Sequence, residues 1–278
     1  MSRAKGLYKI SRPTTSLAGA LAVLMGGYVA GTGAWLNVIL AVIATFLASA
    51  AANAWNDYLD IEIDRINQPK RPLPSGKISP RAALIFSFSL TGLALLIAAF
   101  ISWPAFLVAL VTAVALYVYS WKLKSTVLMG NATIATVSAV SAIFGGVAAG
   151  NVRPSLWLAL IIFVTIMGRE VLKTLADYEG DLRGQCRTVA TVWGLRRARI
   201  IFYILGALTL IMMMLPTILR IYKPIYGVIV ILGVFPVLIY IILRVSPERT
   251  GPQLEKLSQL MKYDFMIWFA AVLLGASA

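Results

Sequence analysis

The chain of 278 residues contains no histidine and a single cysteine, Cys186. These absences exclude an intrachain disulfide, Cys/His zinc sites, a histidine general base and histidine haem ligation. Charge is scarce as well: only 13% of residues are charged, and 11 acids stand against 25 Lys and Arg. Chemistry is therefore left to carboxylates, amides, hydroxyls, Lys and Arg. What is abundant is apolar, at 60% hydrophobic residues, more than a soluble fold could hide; the composition is that of an integral membrane protein. The net charge of +14 does not point to nucleic acid, because basic residues of a membrane protein report its orientation. No segment implies an obligate protein partner.

Apolar runs fall at about 16–31, 35–56, 81–101, 104–121, 127–149, 155–176, 199–218, 224–243 and 263–277. Each is long enough to span when extended by its neighbours, and the basic start of the chain is followed by further spans rather than by a cleavage site and a soluble domain. The expectation is an all-α membrane protein, a nine-helix bundle forming a single domain over 1–278. With the amino terminus inside, only Arg153, Arg220 and Lys223 of the 25 Lys and Arg fall outside, while all 11 acids fall inside, a strong positive-inside pattern. The outer connections near 32–34, 102–104 and 150–154 are minimal, so the elaborated face is the cytoplasmic one. Helices one to four and five to eight suggest two similar halves, without a convincing sequence repeat.

Eight of the 11 acids lie in two stretches of that face. The first reads NAWNDYLDIEIDRINQPKRPLPSGK over 53–77. If the helix entering from residue 36 continues, Asn56, Asp60 and Asp64 are spaced i, i+4, i+8 and share one face. Unpaired, such carboxylates repel; Mg²⁺, which takes one or two carboxylates plus phosphate oxygens, removes that cost. A solvated acidic helix end is the bland alternative. The second stretch, GREVLKTLADYEGDLRGQ, sets Asp177 and Asp181 at i, i+4, with Lys173 one turn before Asp177 and Arg169 a further turn back. Two acidic clusters at the inner ends of helices favour a shared task over two solvated ends: holding Mg²⁺ and a diphosphate, with Lys and Arg meeting the remaining charge.

These motifs resemble those of the UbiA-type intramembrane prenyltransferases, over nearly the whole chain. The similarity rests on Asn56, Asp57, Asp60 and Asp64 in an N-D-x-x-D-x-x-x-D pattern, on INQPKRPLPSG after it, on Asp177 and Asp181 in DYEGD, and on YSWKLK at Tyr119 to Lys124. The resemblance implies a nine-helix bundle with a central cavity open laterally to lipid and capped on the cytoplasmic side. It implies Mg²⁺-dependent transfer of an isoprenyl group from its diphosphate to a membrane-soluble acceptor. Carried across by position, Asn56, Asp60, Asp64, Asp177 and Asp181 bind Mg²⁺ and diphosphate, with Asp57 a further metal position. Arg71, Lys124 and Lys173 contact diphosphate oxygens, and Tyr119 occupies the tyrosine position. Metals and fixed cations stabilise the charge that grows on the leaving diphosphate, and aromatic faces suit the allylic cation left behind. Trp55, Tyr58, Tyr119 and Tyr178 lie beside the motifs, with the interfacial aromatic belt as the bland reading.

DYEGD is most similar to the archaeal branch that makes digeranylgeranylglyceryl phosphate, which implies geranylgeranylglyceryl phosphate as the lipid acceptor. Arg12 and Arg169 are available for its phosphate. Prenylation of an aromatic or chlorin acceptor, a quinone precursor or chlorophyllide, is the alternative. A transporter is a remote one, since its acids belong near the bilayer midplane and here none is expected mid-helix. Gly146 and Gly150 read as close helix packing, Met212–Met214 as lipid-facing or packed filler, Cys186 as structural, and the proline-rich loop over 69–76 as an ordered segment able to act as a lid.

Overall fold

The structure, a computed structural model, describes residues 3–31, 33–249 and 251–276. Thr32 in the expected first outer connection and the expected last helical residue, 277, lie outside the described residues. Regular structure among the described residues is helical throughout: α1 (Arg3–Ile10), α2 (Pro13–Val29), α3 (Trp35–Leu59), α4 (Ile61–Asn67), α5 (Pro80–Ile101), α6 (Trp103–Val118), α7 (Met129–Ala148), α8 (Ser155–Ala176), α9 (Tyr178–Arg183), α10 (Val189–Trp193), α11 (Leu195–Ile218), α12 (Pro224–Ile229), α13 (Phe235–Arg244) and α14 (Gly251–Gly275). Two π-helical segments, Tyr119–Leu123 and Val230–Val234, extend α6 and join α12 to α13. The second precedes Pro236, which has no N–H to give to the helical ladder and so loosens the turn before it.

Among the described residues eight spans are long and apolar enough to cross a membrane. The apolar α2 has 17 residues, about 26 Å at the helical rise, and falls short of that length. Boundaries agree with the apolar runs within a few residues, with one exception. The last helix starts at Gly251, not near 263. Its first turns carry Glu255, Lys256 and Lys262, which read as a loop, yet Leu254, Leu257 and Met261 recur on one face and are buried, the pattern of an amphipathic helix. The consequence is a correction: Asp264 lies in the middle of an apolar helix, only 4% exposed, and its Oδ1 has no hydrogen-bond partner among the described residues.

By contacts the chain divides into two compact units, residues 1–123 with 140–155, and 124–139 with 156–278. In the first, small residues let backbones approach: Ala41, Ala44, Ala94, Ala98, Ala105 and Ala148 pack with Val23, Val38 and Phe144. A Cβ on Gly145 would collide with the Val23 carbonyl, and one on Gly26 with the Ala142 backbone, the close approach that membrane helices use where lipid supplies no hydrophobic drive. Gly146 packs closely as expected, since a Cβ there would collide with Ser155 Oγ, and Gly145 shares that role; Gly150 instead takes φ +80 in the turn that follows. A second cluster of Ile10, Ala54, Leu73, Ile78, Ala82 and Ala83 fastens α1, the end of α3, the loop after α4 and the start of α5. It forms the base of the first acidic motif.

The second unit is centred on Val171, Leu172 and Leu175 of α8, Val189 and Ala190 of α10, Phe202 of α11, Ile241 of α13, and Leu254, Leu257 and Met261 of α14. Farther along, Trp268 donates to the Tyr226 hydroxyl at 3.0 Å, and that hydroxyl donates to the Met213 carbonyl at 2.8 Å. Met213 is buried and acts as packed filler.

Candidate active site

Both acidic motifs begin at a joint where a long apolar helix gives way to a short polar one. α3 ends at Leu59, Asp60 takes φ −92 and ψ 7, and α4 follows. These angles lie in the sparsely populated bridge region where many active-site residues are found. The i to i−4 ladder nonetheless continues, Asp60 N–H to the Asn56 carbonyl at 3.0 Å and Asp64 N–H to the Asp60 carbonyl at 2.8 Å. Asn56, Asp60 and Asp64 thus keep one face across the break. The Asn56 amide donates to Asp60 Oδ2 at 3.0 Å, which leaves its carbonyl oxygen as the donor atom for a cation.

Arginines balance two further aspartates of this joint. Asp64 accepts from Arg71 Nη1 at 2.7 Å. Asp57 lies off the shared face, 4% exposed, paired with Arg12 and 3.8 Å from Arg71 Nη1. Its position is that of an anchor for two guanidinium groups. Arg12 itself caps α2 in the left-handed region, φ 45, while Asn53 holds the neighbouring Ser11 carbonyl at 3.2 Å. Arg71 belongs to an ordered loop: Ser75 returns both its N–H and its hydroxyl to the Arg71 carbonyl at 3.1 and 2.7 Å. Gly76 closes that loop at φ +72, a conformation that favours glycine, and Leu73 and Ile78 anchor it in the base beneath.

The second joint repeats the backbone. α8 ends at Ala176, Asp177 takes φ −90 and ψ 4, and α9 follows, with Asp177 N–H on the Lys173 carbonyl and Asp181 N–H on the Asp177 carbonyl, both at 2.8 Å. Here the cations are held away from the aspartates. Lys173 Nζ donates to both oxygens of Glu170 at 3.3 and 3.1 Å, and Arg169 Nη1 donates to Glu170 Oε1 at 3.2 Å. Arg169 Nε also donates to the Ser258 carbonyl of α14 at 3.4 Å. Asp177 and Asp181 have no ion pair among the described residues. Burial raises the carboxyl of Asp177 above the usual range; Lys173 opposes this, while Glu255 and Glu170 add to it. Burial and the charge of Asp177 raise Asp181 to about 6, against the Thr188 hydroxyl and Lys173. Two neighbouring carboxyl groups that burial holds toward the neutral form, one of them raised further by the other's charge, are a site favouring a cation.

Tyr119 and the YSWKL stretch form the π-helical turn that ends α6, a feature frequent at functional sites. Lys122 stands over the Trp121 ring at 4.1 Å. Tyr119 falls in the first unit and Lys124 opens the second. The first unit gathers Arg12, Asn56, Asp57, Asp60, Asp64 and Arg71; the second gathers Arg169, Lys173, Asp177 and Asp181. Trp55 and Tyr58 stack at 5.7 Å, and Trp55 also stacks on Tyr117 at 5.1 Å, so their faces are largely occupied by each other. Sequence reasoning missed Tyr117, Asn53, Glu170 as a partner of Lys173, and Glu255, which reaches Asp177 from a helix distant in the chain.

The donor set suits Mg²⁺. It is all oxygen, and among the described residues no three acidic or cysteine side chains close into a cage. Mg²⁺ does not need one, since it retains water and takes phosphate oxygens beside one or two carboxylates.

Residues 16–268 match the model of the UbiA prenyltransferase family. The chain is 34% identical over 277 residues to a digeranylgeranylglyceryl phosphate synthase of Pyrococcus horikoshii, covering 98% of this chain and 97% of that protein. It is similar to a solved structure described for digeranylgeranylglyceryl phosphate synthase in membranes, with TM-score 0.83, 30% identity and 99% of each chain covered. It also shares the fold of a UbiA homologue from Archaeoglobus fulgidus bound to GPP and Mg²⁺, with TM-score 0.70, 21% identity, and 95% and 99% covered.

Proposed function

Because the chain belongs to the UbiA prenyltransferase family, we propose that it transfers a geranylgeranyl group from its diphosphate to geranylgeranylglyceryl phosphate, in the synthesis of archaeal ether lipids. The observation that carries this reading is the repeated joint: two long apolar helices each ending in an Asp at i and i+4, with Lys or Arg within a turn or two. The Pyrococcus horikoshii relative, named for the same product, supports the acceptor.

In this reading both joints serve one leaving diphosphate. Mg²⁺, when bound, supplies charge that offsets the negative charge growing on the diphosphate. Asn56, Asp60, Asp64, Asp177 and Asp181 hold it, and Asp57 contributes by anchoring Arg12 and Arg71. Arg71, Lys124 and Lys173 meet diphosphate oxygens, an interaction stronger in the transition state than in the ground state. The allylic C–O bond breaks with its electron pair going to the diphosphate. Tyr119 offers its ring to the allylic cation. The acceptor hydroxyl oxygen then bonds to the allylic carbon and gives up its proton to the diphosphate. Arg12, whose side chain is 35% exposed, or Arg169 holds the acceptor phosphate by charge-assisted hydrogen bonds.

The remaining features of the reading concern the membrane. α2 is read as the ninth crossing, family membership supports a laterally open cavity with a cytoplasmic-side cap, and the positive-inside distribution supports joints on the cytoplasmic face of the cell membrane. The test is mass spectrometry of lipids formed from geranylgeranyl diphosphate and an acceptor panel. The expected product is the diether phospholipid, formed with Mg²⁺ and not with EDTA. Prenylation of a quinone precursor or of chlorophyllide, with none of the phospholipid, would overturn the acceptor.

A further inference from the structure

Glu170 is an acid inside the apolar helix α8, 7% exposed, and none of the motifs requires it. Its place becomes intelligible when the two joints are aligned. Four residues before the joint aspartate the first has Asn56, which donates to Asp60 at 3.0 Å. The second has Lys173 at the same position, and a lysine there is suited to pair with the aspartate one turn on. Lys173 instead turns the other way and gives its ammonium to both oxygens of Glu170. A second cation, Arg169, shares Glu170 Oε1 and is itself tied to the Ser258 carbonyl. The carboxylate thus has two cations to offset its burial and is held from two sides, which makes it a rigid partner for a flexible lysine.

We propose that Glu170 is a positioning residue that holds Lys173 off Asp177. With Lys173 on Glu170, the oxygens of Asp177 and Asp181 stay open to a divalent cation, and the ammonium is kept for an arriving diphosphate. Without the Glu170 charge, Lys173 moves one turn onto Asp177 and competes with the cation for it. The inference rests on the proposed metal role of Asp177 and Asp181.

The two can be tested separately by titrating purified protein with Mn²⁺ and following free Mn²⁺ by electron paramagnetic resonance, with no turnover required. Glu170→Gln is expected to weaken Mn²⁺ binding about tenfold, the scale of a partly buried ion pair competing for the site. Adding Lys173→Met to that variant removes the competitor and should return Mn²⁺ affinity to within about twofold of wild type, although prenyl transfer stays low because Lys173 is gone. Restored binding in the double variant supports the inference and distinguishes positioning from a general loss of fold, which a second substitution does not repair. Wild-type affinity in Glu170→Gln, or equal weakness in the single and double variants, overturns it and leaves the metal site standing. Absence of any Mn²⁺ site in the wild-type protein overturns both readings.

Discussion

The α3–α4 and α8–α9 joints turn on aspartates with nearly the same backbone angles, φ −92 and ψ 7 at Asp60, φ −90 and ψ 4 at Asp177. They differ in the company of their carboxylates. At the first joint Arg71 already sits on Asp64, and Arg12 sits on Asp57. At the second Lys173 and Arg169 are gathered on Glu170, burial raises both Asp177 and Asp181, and the charge of Asp177 raises Asp181 further. The same spacing therefore yields two devices. One pairs two of its aspartates with arginines, and the other leaves Asp177 and Asp181 without an ion pair among the described residues.

The largest effect expected is on turnover. Asp60→Asn and Asp177→Asn each delete a charge from a joint, and each should lower kcat/KM by about a hundredfold or more, several kcal/mol of transition-state stabilisation. Wild-type rates in both variants, or full turnover in EDTA, would break the comparison at its root. Next in size are Arg71→Ala and Lys124→Ala. Each should raise KM for the prenyl diphosphate by about tenfold, the loss of one charge-assisted contact, and raise that for the acceptor less. A rise in the acceptor KM alone would reassign both residues.

A smaller effect sharpens the contrast between the joints. The raised carboxyl of Asp181 takes up a proton as pH falls through about 6, and a protonated carboxyl is a poor ligand. Half-saturating Mg²⁺ should accordingly be flat well above that pH and rise up to about tenfold per unit below it. Asp181→Asn should remove this dependence while weakening Mg²⁺ at every pH; an unchanged profile in the variant would place the titrating group elsewhere. The smallest effect is on stability, at a position outside both joints. Asp264→Leu replaces a buried carboxyl whose Oδ1 has no hydrogen-bond partner among the described residues and should stabilise the protein by about 1–3 kcal/mol, read as a higher Tm with activity kept. Loss of transfer activity in a well-folded variant would instead make Asp264 functional.

Local spacing made both joints legible in the sequence, because the i, i+4 relation of Asp60 with Asp64 and of Asp177 with Asp181 survives the break in each helix. Apolar runs gave the helices for the same reason. What escaped depends on long-range packing. Glu255 reaches Asp177 from a helix far along the chain, and Tyr117 joins Trp55 across 62 positions. Glu170 was visible as an acid, but its hold on Lys173 was not, since an i−3 and an i+4 partner are equally near for a lysine on a helix. The charges at Glu255, Lys256 and Lys262 disguised the start of α14, because its apolar stripe is narrow there. Whether Arg12 pairs with Asp57 or stays open depends on the left-handed cap at its own backbone, which no motif encodes.

Both joints are proposed to act on one leaving diphosphate. Diphosphate release measured in single-turnover mode for wild type, Asp60→Asn, Asp177→Asn and the double variant tests it most directly. Residues acting as a unit are strongly non-additive, so the double variant is predicted to lose little more than the worse single one. Losses that multiply, a double variant slower by the product of the two single effects, would show two independent sites and contradict the account.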